Sequence, residues 1–73
     1  MVSSKKIIRA LEKDGWLLKR VSGDHHQFIH STKKGIVTVP HPESDVAIGT
    51  LQAIEKQSGL QLRRRNQKKK PRQ

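Results

Sequence analysis

Apolar residues recur along the chain at helical spacing, then at alternate positions, then at helical spacing again. Ile7, Ile8 and Leu11 share one helical face with Ala10 beside them, while Lys5, Lys6, Arg9, Glu12 and Lys13 fall mostly off it. Ser3 or Ser4 is placed to cap this helix, and Gly15 to end it in a left-handed turn. Trp16 to Ser22 is rich in apolar residues and free of breakers, which predicts a strand. Alternation puts Trp16, Leu18 and Arg20 on one face and Leu17, Lys19 and Val21 on the other, and leaves open which face is inside.

Gly23-Asp24 is a turn pair, so a second strand runs back antiparallel from about His25 to His30. Its period of two separates His26, Phe28 and His30 from His25, Gln27 and Ile29. Phe28, the one phenylalanine, belongs in the core, and this sends His25 to the open face. Ser31 to Gly35 makes a second tight turn. Ile36 to Val39 forms a third strand, β-branched throughout and closed by Pro40 and Pro42. After a loop at Glu43-Ser44-Asp45, a helix from about Ala47 to Ser58 buries Ile48, Leu51 and Ile54. Gly59 stops it, and Leu60 is placed to fold back as in a Schellman motif. Helix, three antiparallel strands, helix: this order predicts a two-layer α+β domain with both helices on one sheet face and the other face free.

Length and charge then narrow the reading. Seventy-three residues make one small domain, which buries only about 60% of its unfolded surface. The chain has no cysteine, so no disulfide or thiolate metal site supports it. Its apolar runs are far shorter than the roughly 20 residues of a membrane span or the 7 to 15 of a signal-peptide core, and a soluble, cytoplasmic protein is expected. The net charge of +10 is unevenly spread. Residues 63–73 hold seven of the sixteen Lys and Arg and no acid, leaving residues 1–62 with nine bases against six acids. A domain over residues 1–62 and a basic tail over 63–73, disordered when free, is therefore expected. Such a tail is either a solubilising extension or a phosphate-binding arm adding salt-dependent affinity.

Four histidines, His25, His26, His30 and His41, are the candidate chemistry. A metal site is disfavoured, because no Cys or carboxylate stands at a ligand spacing and strand alternation divides the cluster. His30 and His41 read as structural groups, hydrogen-bonded at strand ends. His25 differs, being on the open face. An exposed imidazole takes or gives a proton near neutral pH, and RNA carries its own nucleophile in the 2′-hydroxyl, so one placed histidine could cleave RNA without metal or cofactor.

Several segments together resemble the HicA family of bacterial toxins: Gly15-Trp16, Lys19-Arg20, Gly23-Asp24-His25-His26-Gln27-Phe28, Val37-Thr38-Val39-Pro40-His41-Pro42, and Ile48-Gly49-Thr50-Leu51 through Ile54 to Gly59. The match runs in order over about residues 3–60. The resemblance implies a fold like the double-stranded-RNA-binding domain. It also implies an mRNA-cleaving ribonuclease that halts growth and is held inactive by a HicB antitoxin covering its active face. The essential histidine of the family's Gly-Ser-His motif falls on His25. Asp24 stands where that motif has serine; its carboxylate would either orient His25 or repel a scissile phosphate.

With RNA across the open face, His25 serves as general base or general acid beside the Gly23-Asp24 turn, and Gln27 contacts a base or sugar. Strict alternation sends Lys19 and Arg20 to opposite faces, and Arg20, near the turn, is the one read as a phosphate contact. Lys5, Lys6, Lys33 and Lys34 are further phosphate candidates. Trp16 and Phe28, the only aromatics besides histidine, are needed in the core, so binding is expected to be backbone-directed and weakly sequence-specific. The rival reading is a non-catalytic RNA-binding module, or an inactive toxin, with the same fold.

Overall fold

The computed structural model describes residues 2–63; residues 64–73, most of the expected tail, lie outside the described part. The elements are α1 (Ser4–Lys13), β1 (Trp16–Ser22), β2 (His25–His30), β3 (Val37–Pro40) and α2 (Ile48–Ser58). Ser3 caps α1, its hydroxyl accepting the Lys6 N–H at 3.2 Å. The helix ends at Asp14, and Gly15 carries the chain into β1 with φ 102°, in the region that favours glycine. A Cβ there would lie 3.0 Å from Nε2 of His30, so close approach as well as backbone angle selects glycine.

The strands form one antiparallel sheet in the order β1-β2-β3. Ile7 and Leu11 of α1, Leu51 and Ile54 of α2, and Val46 pack with Trp16, Phe28, Val37 and Val39 from one sheet face into a single core. Each such side chain contributes about 1.5–3 kcal/mol by leaving water. The result is the expected two-layer α+β architecture, with the second sheet face uncovered among the described residues. No helix among these residues is long and apolar enough to cross a membrane.

Three local expectations change. Ile48 is 59% exposed while Val46 is 4% exposed, so Val46 replaces Ile48 in the core. The α2 helix starts only at Ile48, and the Val46 N–H is held by the Val2 carbonyl at 2.8 Å, which draws the preceding segment inward. The α2 terminus is not a Schellman motif. The Gly59 N–H reaches the Glu55 carbonyl at 2.8 Å, but the Leu60 N–H is taken by the Ser58 hydroxyl at 3.2 Å, leaving a single-bond left-handed cap. Beyond this cap the chain stays tied to α2, since the Arg63 backbone N–H and guanidinium both donate to the Glu55 carboxylate at 2.9 Å.

The third change is in β1. Its register runs Leu17 opposite Ile29 and Leu18 opposite Phe28, then resumes at Arg20 opposite Gln27, with Lys19 as an extra, unpaired residue. This bulge breaks the alternation assumed from sequence. Residues directly opposite in an antiparallel pair share a face, so Arg20 leaves the side of Trp16 and Leu18 and joins the side of Gln27.

Candidate functional site

The β1–β2 hairpin closes through the two-residue loop Gly23-Asp24, with Ser22 opposite His25. Gly23 has φ 61° at the first loop position, where tight hairpins favour glycine. The loop and the first residue of β2 are exposed; the His25 side chain is 60% accessible, with its Nε2 3.8 Å from an Asp24 carboxylate oxygen.

Pairing across the three strands arranges the open face in rows. Ser22, His25 and Pro40 form one, and Arg20, Gln27 and Thr38 form the next. Leu17 and Ile29 form a third, and Leu17, Ile29 and the neighbouring Ile36 are all exposed large apolar side chains. The face thus has a polar end carrying an imidazole, a guanidinium, an amide and a hydroxyl, and an apolar end. The bulge at Lys19 brings Arg20 into this set. Thr38 was not singled out from the sequence, although its place between buried Val37 and Val39 is the period-2 signal that puts it there.

The other histidines occupy the helix side. His26 is half-buried, and its ring meets that of His41 edge-on with centroids 4.9 Å apart. His30 Nδ1 accepts the N–H groups of Thr32 at 3.1 Å and Lys33 at 3.2 Å. Its proton therefore sits on Nε2, which donates to the Asp14 carbonyl at 2.7 Å, in the structural role expected of it. His41 Nδ1 lies 2.6 Å from the Ser4 hydroxyl. No cluster of three or more His, Asp or Glu suited to a metal ion occurs among the described residues.

The lysines do not converge on His25. Lys5 and Lys6 are exposed on α1, in the layer behind the sheet. The expected phosphate contact from Lys33 is corrected: its ammonium is held by the Asp14 carboxylate at 2.6 Å and the Ser58 carbonyl at 3.0 Å, joining the ends of both helices. The Lys33 hydrogen bond holds the Asp14 carboxyl below its ordinary value of 3.8. For Glu55, burial pushes the carboxyl up, but the N–H groups of Arg63 and Leu62 and the Arg63 guanidinium outweigh this and hold it below 4.5. Lys34 is exposed.

Compared with known proteins, residues 4–60 match the family model described as HicA toxin of bacterial toxin-antitoxin. No curated protein matches the chain.

Proposed function

The chain belongs to the HicA family of toxins from bacterial toxin–antitoxin systems, and on that premise we propose that it is a metal-independent endoribonuclease that cleaves mRNA in the cytoplasm and is inhibited by a HicB-type antitoxin. The observation that carries this reading is the exposed His25 on the open sheet face, in the row next to Arg20, Gln27 and Thr38.

In the proposed reaction, His25 removes the proton of an RNA 2′-hydroxyl, and the 2′-oxygen attacks the adjacent phosphorus. The bond to the 5′-oxygen breaks, and that oxygen takes up a proton, leaving a cyclic phosphate and a 5′-hydroxyl end. His25 could equally supply the proton to the leaving oxygen. One such group typically contributes 10²- to 10⁴-fold. Arg20 neutralises phosphate charge, Gln27 and Thr38 hold sugar or base edges, and Gly23 gives the loop the backbone that lets RNA approach. Asp24 orients His25. Lys5, Lys6 and the basic residues 64–73 add phosphate attraction away from the reacting atoms. The apolar end at Leu17, Ile29 and Ile36 supports a protein partner on the same face, as an inhibiting antitoxin requires.

The test compares wild type with His25→Ala for RNA cleavage in EDTA and for growth arrest on expression. The wild type should cut under chelation and the variant should not; equal cleavage by the two removes His25 from the reaction. A wild type that neither cuts nor arrests growth, but does both after Asp24→Ser, identifies an inactive toxin instead.

A further inference from the structure

Ser4 is a polar side chain with only 1% of its surface exposed, in the first turn of a helix whose cap is Ser3. Its hydroxyl oxygen accepts the Glu43 N–H at 2.9 Å and lies 2.6 Å from His41 Nδ1, and its own N–H donates to the Glu43 carbonyl at 2.8 Å. The hydroxyl, with one proton and two lone pairs, thus serves the Glu43 N–H and His41 Nδ1 together. The His26 ring, packed edge-on, closes another side of the imidazole.

The backbone of His41 has a second task. Its N–H donates to the Asp24 carbonyl at 2.7 Å, one residue before His25. Among the described residues this is the one backbone hydrogen bond from outside the strand ladders that reaches the Gly23-Asp24 loop. A loop opened by glycine is compliant, and its tip is exposed. His41 therefore restrains the loop through its backbone while Ser4 restrains His41 through its ring. Neither residue lies on the open face.

We propose that Ser4 and His41 form a positioning pair for the reaction assigned above to His25, on which this inference rests. The pair fixes the loop, and with it the imidazole, relative to the row of Arg20, Gln27 and Thr38. It touches no RNA, so its loss changes the rate of the chemical step rather than binding. A misplacement of about 1 Å costs on the order of 10²-fold in such geometry.

The experiment measures kcat and KM for RNA cleavage by the full chain, with thermal melting of every variant. Ser4→Ala should lower kcat about 10- to 100-fold with KM nearly unchanged. His41→Asn keeps a polar amide atom near the place of Nδ1 and should retain most of kcat, whereas His41→Gln, whose amide reaches towards the place of Nε2, should lose it. This Asn–Gln comparison carries the test if Ser4→Ala does not fold. Lys33→Ala, in the turn beyond the far end of β2, serves as the control: it should lower the melting temperature and leave kcat alone. If His25→Ala is inactive while Ser4→Ala, His41→Asn and His41→Gln all cut at the wild-type rate, the positioning role is overturned and the function stands. If both His41 variants lose rate equally, or kcat falls only in proportion to lost folding, the pair is scaffolding and the inference is likewise overturned. If His25→Ala cuts as well as wild type, the function and the inference fall together.

Discussion

Arg20 faces Gln27 across the β1–β2 ladder because Lys19, between Leu18 and Arg20, has no partner in β2. One inserted residue thus turns Arg20 onto the face of His25.

The expected consequence is measurable on RNA binding in a His25→Ala background, where no cleavage intervenes. Arg20→Ala should weaken binding and reduce the slope of log affinity against log salt by roughly 0.7, the loss of one contact to single-stranded phosphate. Lys19→Ala should change the slope less. An equal effect of the two substitutions would place both side chains on the RNA.

Acid should act on the buttress made by Asp14 and Lys33. A carboxyl whose folded pKa is depressed contributes stability that is fully present above its ordinary value and is lost as pH falls through the folded value. For Asp14 that loss lies below 3.8, and for Glu55 below 4.5. Melting temperature should therefore be steady down to about pH 5 and decline beneath it. Asp14→Asn should melt below wild type at neutral pH, and the difference should shrink in acid. A difference that stays constant down to about pH 2 would show that the Asp14 charge is not what Lys33 holds.

Two glycines should respond differently to alanine. At Gly23 a Cβ would meet nothing within 4 Å, so only the backbone at φ 61° is strained. About 1 kcal/mol is expected there. At Gly15 a Cβ would also press on His30 Nε2, which is committed to the Asp14 carbonyl, and the cost should be clearly larger. Urea denaturation of the two variants decides; equal costs would mean that the His30 ring yields freely.

Val46 and Ile48 invert the order that hydrophobicity suggests. Val46→Ala should cost about 1.5–3 kcal/mol, as for any buried aliphatic side chain. Ile48→Ala should stay within about 0.5 kcal/mol. The same denaturation curves check both, and a larger loss at Ile48 would contradict its exposure.

Much of the fold was legible locally. Ser3, the Ile7–Leu11 face, the Gly23-Asp24 turn and the β-branched third strand each act over a few residues, and their order leaves one compact two-layer arrangement. The face of His25 was legible for the same reason: Phe28 sits three positions along one strand and must be buried. The structural role of His30 at its strand end followed too, although its partners, Asp14, Thr32 and Lys33, did not.

By itself, then, the sequence determined the element order, the exposed histidine and the glycine turn beside it, because periodicity and backbone permissiveness are properties of neighbouring residues. Only the tertiary structure decided the bulge that turns Arg20 over, the exchange of Ile48 for Val46, and the capture of Lys33 by Asp14 and Ser58. It alone brought Ser4 to His41, 37 positions away. Each of these depends on which distant group arrives to fill an acceptor, a gap or a ladder position, and no local pattern carries that information.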